Sequence, residues 1–273
     1  MVVFLNDGLG GFSPTTLTSP NPEDGGSFGF SLTTGDVDGD LDKDLIVGAP
    51  DEDGLATFDS GRVYIFDNPT LTLLATIEDT TSRRQTQQSF GDAVAAGDFR
   101  AVGVDDLLIG VPDWEDDRPG LSYGRGRVVF VFSPLSGPVY KDFLPPWGGG
   151  DVGFAVAAGR LDDDAAGKDD ALIGAPFAKP SNQGQVPTEG EVFAILNPET
   201  DPAVEFSDLR YLFGAQIDAL PKEATDFGFS VATGKVENSH ICGPGSGWIV
   251  GEPFGGEDIC PAREGRVVTG QID

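Results

Sequence analysis

One segment of the chain recurs four times, and this repetition restricts the possible folds more than any other feature. Each copy opens with a Phe-Gly or Val-Gly pair, runs through an apolar stretch and a polar loop, and closes on a Gly-x-Pro tripeptide. The copies begin at Phe28, Phe90, Val152 and Phe227. A glycine followed by β-branched or aromatic residues then opens a further stretch. Such self-similarity is typical of architectures built from one repeated supersecondary unit.

Each repeat predicts four short β-strands. In the first repeat, runs rich in Val, Ile, Leu and Phe cover about 28–34, 44–49, 62–67 and 71–78, and Gly, Pro, Asp and Asn bound them. Four strands joined by turns form one antiparallel sheet, which cannot bury both of its faces alone. Packing similar sheets around an axis buries those faces, so the repeats predict an all-β fold of the β-propeller type.

The repeat boundaries predict a single propeller domain over residues 1–273. The predicted blades cover about 28–78, 90–144, 153–213 and 227–273. The last repeat ends after its third strand, and residues 1–6 form a lone apolar run ahead of a predicted loop at 7–27. We therefore expect a four-bladed ring, closed by the N-terminal strand pairing with the C-terminal blade, which also removes an exposed sheet edge. A part of a seven-bladed propeller, or chains that assemble into larger rings, are the alternatives.

An acidic loop in the first repeat is the strongest candidate for a metal site. It carries aspartate at every second position from 36 to 44. Five closely spaced carboxylates repel one another unless a cation neutralises them, and Ca²⁺ accepts six to eight oxygen ligands. The predicted metal ligands are Asp36, Asp38, Asp40, Asp42 and Asp44. A solvated acidic turn without a metal ion is the alternative.

The run FG…GDxDGD…DLIVGAP…GRVYIF resembles the FG-GAP repeat of integrin α-subunit propellers, which also occurs in glycosylphosphatidylinositol phospholipase D and many bacterial surface proteins. The resemblance covers about 28–270 and is most specific in the first repeat. It implies a calcium ion bound by four carboxylates and by the backbone carbonyl of Asp42. Leu41 departs from the motif, which has glycine there, and glycine reaches unusual backbone angles more readily than leucine.

The equivalent loops of the other repeats keep fewer of these ligands. In repeat two, Arg100 and Val102 stand at ligand positions, between Asp98 and the pair Asp105 and Asp106. We therefore expect no calcium ion there and expect the guanidinium of Arg100 to supply the positive charge instead. The candidate calcium ligands of repeat three are Asp162, Asp164 and Asp170, with assistance from Asp163 or Asp169. The alternative in repeat three is an ion pair formed by Arg160 or Lys168.

The two cysteines of the chain, Cys242 and Cys260, lie in repeat four, whose loop has no series of carboxylates. We expect a disulfide bond between them, which would contribute roughly 3 kcal/mol and would indicate an oxidising compartment. Two free thiols are the alternative, since no Cys-x-x-Cys pattern indicates zinc or redox chemistry.

The charge and hydropathy of the chain limit its partners and its location. The net charge is −28 at pH 7, which repels nucleic acid and anionic lipid. No window reaches the ~18 consecutive apolar residues of a membrane span, and no signal peptide is visible at Met1. We therefore expect a protein that binds no nucleic acid and does not insert directly into a membrane. The expected location, extracellular or at the cell surface, follows from the resemblance and from the predicted disulfide bond.

The resemblance implies that the remaining loops lie on the face opposite the metal loops. These loops form the candidate ligand-binding surface, because binding residues concentrate on loops of a rigid scaffold. Trp, Tyr and Arg are enriched where proteins bind one another. The candidate residues are Trp114, Arg118, Tyr123, Arg125 and Trp147. Packing of the two tryptophans within the loop region is the alternative.

Catalysis has little support in the sequence, since the single histidine, His240, belongs to no nucleophile–base pattern. The resemblance implies a non-enzymatic, calcium-stabilised binding or adhesion module outside the cell or on its surface. Its expected partner is a protein or glycan ligand, or neighbouring subunits of a surface assembly. A lectin-type carbohydrate-binding propeller and the accessory propeller of a secreted hydrolase are the alternatives.

Overall fold

In the computed structural model, every regular element of the described residues is a β-strand. The structure describes residues 1–6, 8–54, 57–115, 125–145, 150–161, 167–178, 190–198, 209–213, 227–235, 246–252 and 266–270. Within these ranges no helix is both long and apolar enough to span a lipid bilayer. The predicted all-β fold class is therefore confirmed.

The described strands form four larger antiparallel sheets and one hairpin. The N-terminal hairpin consists of β1 (Val2–Asn6) and β2 (Phe12–Thr16). Sheet 1 consists of β3 (Ser31–Gly35), β4 (Asp44–Ala49), β5 (Arg62–Phe66) and β6 (Leu73–Ile77). Sheet 2 consists of β7 (Val94–Gly97), β8 (Asp106–Glu115), β9 (Arg125–Phe132) and β10 (Val139–Phe143). Sheet 3 consists of β11 (Ala155–Gly159), β12 (Asp170–Ala175), β13 (Glu191–Ile195) and β14 (Leu209–Phe213). Sheet 4 consists of β15 (Ser230–Lys235), β16 (Ser246–Glu252) and β17 (Arg266–Gly270).

Each larger sheet is built from one sequence repeat, with successive strands side by side. The second and third strands of a sheet read as nearly continuous apolar runs because both of their faces are covered by neighbouring sheets. In β4, for example, Ile46 and Val47 point to opposite faces, and both are buried. Ile46 packs in the core between sheets 1 and 2, whereas Val47 packs beneath the N-terminal hairpin.

Apolar layers join the sheets face to face in chain order. The layer between sheets 1 and 2 contains Ile46, Ile65, Ile109 and Val129. The layer between sheets 2 and 3 contains Leu108, Phe130, Ile173 and Phe193. The layer between sheets 3 and 4 contains Leu172, Val192, Phe227 and Val231. The first strands β3, β7, β11 and β15 contact one another in succession, as expected for sheets arranged around a propeller axis.

Glycines allow the backbones of neighbouring sheets to meet. A Cβ atom on Gly48 would overlap the carbonyl oxygen of Gly91, and Gly110 stands in the same relation to Gly153. The third interface repeats this contact between Gly174 and Gly228. The two glycines that recur in every repeat therefore mark a backbone contact between sheets, which a larger residue would separate.

The N-terminal strand forms a hairpin that the sequence does not predict. β1 pairs with β2, which lies inside the predicted loop 7–27, so that part of the loop prediction is wrong. Met1, Val3 and Leu17 of this hairpin region pack against Val47 and other apolar residues of sheet 1. Within the described residues β1 and sheet 4 share no pairing. Four blades in a ring closed by β1 thus stay a prediction.

Candidate metal centre

The acidic loop of repeat one connects β3 to β4 at one end of sheet 1. Asp36 follows the last residue of β3, and Asp44 is the first residue of β4. The two strands are paired at this end, with Gly35 opposite Asp44. The sheet therefore fixes both ends of the loop, and the intervening aspartates lie on a short connection.

Aspartate side chains hold the loop in shape by accepting hydrogen bonds from its own backbone. Asp36 accepts from the amides of Gly39 and Leu41, at 2.7 and 3.0 Å. Asp38 accepts from the amide of Asp40 at 3.0 Å, and Asp40 accepts from the amide of Asp42 at 2.8 Å. Such local bonds are typical of aspartate in turns. They orient three successive carboxylates toward a common point.

Three of the predicted ligands converge. One carboxylate oxygen from each of Asp36, Asp38 and Asp40 lies within 4.8 Å of the other two. Asp36 is buried, whereas Asp38 and Asp40 are exposed. Oxygen ligands surround Ca²⁺ at 2.3–2.6 Å, so two ligands of one ion can lie up to about 5 Å apart. The arrangement fits a hard divalent cation that enters from solvent.

Asp44 lies beneath this group and is buried. It accepts hydrogen bonds from the amide of Val37 at 3.1 Å and from the backbone of Asn68. Burial raises the pKa of Asp44, and the charges of Asp38 and Asp40 raise it further, against these hydrogen bonds. The carboxylate would keep its charge more easily beside a cation.

Asp67, which sequence reasoning missed, is a further candidate ligand. It follows β5, and its carboxylate can approach those of Asp38 and Asp44 within 4.8 Å. Asp67 stands six residues after the glycine that opens this run of repeat one, and the same position holds Phe132 in repeat two and Leu196 in repeat three. A comparison of the repeats at this position would have singled out Asp67, because only repeat one of these three places a carboxylate there.

Leu41 adopts the backbone conformation that the motif reserves for glycine. Its φ is +76°, and the φ of Gly39 is +85°. The side chain of Leu41 is 85% exposed, so no packing contact compensates for this conformation. The loop keeps its turn despite the substitution, at the cost of local backbone strain.

The loop of repeat two contains an ion pair between Arg100 and Asp106. Arg100 donates from Nε to both carboxylate oxygens of Asp106, at 3.0 and 2.9 Å. Asp98 accepts from the amides of Val102 and Gly103. The guanidinium therefore supplies, inside the loop, the positive charge that a metal ion would supply in repeat one.

The loop of repeat three is described only in part. Asp162, Asp163 and Asp164 lie outside the described residues. Asp170 is buried and accepts from the amides of Leu161 and Asn197, at 2.8 and 2.9 Å. The calcium site predicted there stays a prediction, as does the disulfide, since Cys242 and Cys260 also lie outside the described part of the chain.

A pair of reciprocal hydrogen bonds between neighbouring loops, called a clasp below, connects the candidate centre to the next sheet. Asp105 of repeat two accepts from the amide of Asp36 at 2.9 Å and forms an ion pair with Lys43 at 2.9 Å. The amide of Asp105 donates in return to the carbonyl of Asp36. Asp169 and Asp98 repeat this exchange between repeats three and two. The metal loops are thus tied to the sheet interfaces.

The predicted ligand-binding residues are mostly outside the described chain. Trp114 is 1% exposed, donates from Nε1 to the carbonyl of Arg83 at 2.7 Å, and lies beside the guanidinium of Arg127. This position supports the packing role considered for it. Arg118, Tyr123 and Trp147 lie outside the described residues, and of Arg125 only the backbone, in β9, is described.

An acidic cavity of about 650 Å³ lies between the loops of repeats one and two, away from the metal loops. Its lining residues are Asp51, Asp59, Gln85, Thr86, Gln87, Ser89, Asp113 and Glu115. Nearby, burial and then the charges of Asp113, Asp51 and Asp151 raise the pKa of Asp92 to about 6. This region has a negative potential, so it favours cationic over anionic ligands.

The chain matches a repeat family over one segment, and it is similar to known proteins over a longer part of its length. Residues 28–66 match the FG-GAP repeat family. Integrin alpha-PS2 of Drosophila melanogaster is 30% identical over 179 residues, and integrin alpha-IIb of Homo sapiens is 32% identical over 179 residues. Integrin alpha pat-2 of Caenorhabditis elegans is 29% identical over 187 residues.

These matches cover 63% of this chain but only 12%, 16% and 14% of the respective relatives. The chain therefore spans a small part of the integrin alpha chains that it matches. The matched 28–66 segment contains the acidic loop and the first three strands of sheet 1. The resemblance that the sequence motif indicated is thus confirmed: the chain carries an FG-GAP repeat and is similar over 63% of its length to integrin alpha chains.

Proposed function

We propose that the chain is a calcium-stabilised, non-enzymatic binding or adhesion module that acts outside the cell or on its surface. Its ligand would be a protein or glycan, or neighbouring subunits of a surface assembly. Similarity to integrin alpha chains supports a role related to cell adhesion.

The convergence of Asp36, Asp38 and Asp40 carries the calcium proposal. Two charges about 4 Å apart repel each other by roughly 1 kcal/mol in bulk water and by roughly 4 kcal/mol near a protein surface. Asp44 and Asp67 add negative charge below them. A divalent cation would remove this repulsion and hold the loop between β3 and β4.

Thermal unfolding with and without calcium tests the proposal. A concentration one hundred times the dissociation constant stabilises a protein by about 2.7 kcal/mol, which for a chain of this size raises Tm by several degrees. We expect this rise on adding calcium after chelation. The rise in Tm with calcium should be larger than the rise with magnesium at the same concentration, because magnesium demands a stricter octahedral geometry.

Isosteric variants separate loss of the ion from loss of the loop. Asp38→Asn together with Asp40→Asn keeps the acceptors for the amides of Asp40 and Asp42 but removes two charges. This variant should lose most of the calcium-dependent rise in Tm. Asp98→Asn, in the loop that contains the Arg100 pair, is the matched control and should keep the rise. An equal Tm with calcium and chelator in the unmodified chain would refute the proposal.

The non-enzymatic part of the proposal rests on how the loop carboxylates are used. Asp36, Asp38 and Asp40 accept hydrogen bonds from the backbone of their own loop, which supports a structural use of these carboxylates. General acid–base chemistry instead needs a carboxyl group poised to exchange a proton with a substrate.

The predicted Cys242–Cys260 disulfide would accord with an extracellular location, and mass spectrometry with and without reduction tests it.

A further inference from the structure

The three interfaces between successive sheets share one arrangement. The glycine of the Phe-Gly or Val-Gly pair that opens each repeat is called the repeat glycine below. The third residue after it is apolar and lies on the first strand of its sheet. In sheets 2, 3 and 4 this residue packs against the preceding sheet. In sheets 2, 3 and 4 these residues are Val94, Val156 and Val231, which pack in or against the three layers between sheets. Each interface thus buries a side chain of the innermost strand against the sheet before it.

Leu32 holds the same position in sheet 1 but is 53% exposed. Its neighbour across the strand pair, Val47, is fully buried. Thr34 is exposed as well, whereas its counterpart Thr233 in sheet 4 donates from Oγ1 to the carbonyl of Ala158 in the preceding sheet at 2.6 Å. The inner part of this face of sheet 1 therefore lacks the cover that the other three sheets have.

The N-terminal hairpin covers only the outer part of the same face. The repeat glycine of a sheet lies against the start of the third strand of the sheet before it: Gly91 against Arg62, and Gly153 against Arg127. Gly29 of sheet 1 lies against Met1, directly before β1. β1 therefore occupies the place of a third strand and β2 that of a fourth strand, in front of sheet 1.

A first and a second strand are missing from this arrangement in the described residues. There, β2 is the only strand that pairs with β1, so among the described residues no strand lies along the opposite edge of β1. We propose that this edge, together with Leu32 and Thr34, is a docking surface for the inner strand pair of a repeat of the same type. The incoming pair would extend the β1–β2 hairpin into a four-stranded sheet by strand addition.

The three occupied interfaces define the chemistry of the occupant. Its first strand must end in glycine, because Gly35, Gly97 and Gly159 each lie against the first strand of the following sheet. Its second strand must carry a central glycine, because Gly48, Gly110 and Gly174 meet the backbone of the following sheet. The partner is thus a β-hairpin with two glycines at fixed places, and not a general apolar ligand.

A synthetic peptide of residues 89–112 is the probe for this surface. It contains the inner strand pair of repeat two, and the Arg100–Asp106 pair holds its loop without calcium. We expect saturable binding of the labelled peptide to the full chain, followed by fluorescence anisotropy. The matched control peptide carries Gly110→Val, whose added side chain would collide with the docked backbone, and should bind at least tenfold more weakly.

Variants of the full chain locate the binding. Leu32→Asp places a charge on the docking surface and should weaken peptide binding at least tenfold. Leu73→Asp, at an exposed position on the outer strand β6, should leave binding unchanged. Both positions are exposed, so both variants should keep the thermal unfolding temperature of the parent chain in chelator, which checks that they fold.

Three results would overturn the proposal. Equal binding of the Gly110→Val peptide would show that docking ignores the glycine contact. Absence of saturable binding up to millimolar peptide, or binding unaffected by Leu32→Asp, would show that the surface is not the site. Light scattering that finds a dimer of the free chain, dissociated by Leu32→Asp, would assign the surface to a second copy instead.

Discussion

At the residue scale, burial separates the loop aspartates into two groups. Asp44, Asp106 and Asp170 open the second strand of their sheets, are buried, and accept backbone amides from nearby loops. Asp38 and Asp40 are exposed and point toward the candidate ion. The first group supports the fold in repeats one, two and three, whereas the second is present in repeat one.

Replacing Leu41 by glycine should stabilise the chain. At a φ of +76° a residue other than glycine costs of order 1–3 kcal/mol, and the entropy of glycine in the unfolded chain offsets part of the gain. We expect Leu41→Gly to raise the free energy of unfolding by about 0.5–1 kcal/mol, measured with urea in chelator. Leu74→Gly, within strand β6, should lower it, and a loss of stability in Leu41→Gly would contradict the strain argument.

Asp92 should make the chain less stable at neutral than at acidic pH. Its folded-state pKa of about 6 lies above the ordinary value of 3.8. Between these two pH values the folded state keeps a proton on Asp92 that the unfolded chain has lost. The stabilisation from this proton is complete below about pH 4 and is lost as pH rises through 6. Asp92→Asn should therefore gain about 1–2 kcal/mol at pH 7 and nothing at pH 4. Urea unfolding at both pH values measures this, and an equal gain at both would count against it.

At the element scale, strand positions follow from local sequence and strand ends do not. The predicted second strand, 44–49, coincides with β4. The predicted first strand began three residues early, because the backbone around Gly29 turns against the hairpin before pairing begins at Ser31. β8 runs on past the Gly-x-Pro tripeptide to Glu115, where the side chain of Gln85 bonds both to the amide and to the carbonyl of Glu115. Such a contact from a distant loop leaves no local pattern.

Arg127, the third residue of β9, is a fully buried charge in sheet 2. Its guanidinium pairs with Asp79 and Asp142 and faces the ring of Trp114. Arg127→Ala would leave the buried carboxylate of Asp79 and the partly buried carboxylate of Asp142 without this partner, and breaking a buried pair typically costs 3–5 kcal/mol. We expect urea unfolding to show that Arg127→Ala lowers the free energy of unfolding by about that amount. Lys43→Ala, which breaks an exposed pair, should cost less than about 1 kcal/mol, and a similar small loss for Arg127→Ala would refute this assignment.

At the scale of the whole molecule, the repeats pack as a series in which each sheet covers the next. The clasps Asp105–Asp36 and Asp169–Asp98 cross the sheet interfaces beside the loops. Calcium in repeat one would therefore stiffen both a loop and its junction with sheet 2. The uncovered face of sheet 1 continues the same series in the other direction, which is why we expect it to accept another strand pair.

The sequence by itself determined the all-β class, one sheet per repeat and the acidic loop of repeat one, because these follow from local spacing of apolar, glycine and aspartate residues. The tertiary structure decided which residues meet across repeats. It brought Asp67 to the candidate metal centre, buried Trp114, and paired β1 with β2 in front of sheet 1. These outcomes depend on contacts between segments far apart in the chain, and the energy of such contacts is set by the packed geometry and not by the pattern of either segment alone.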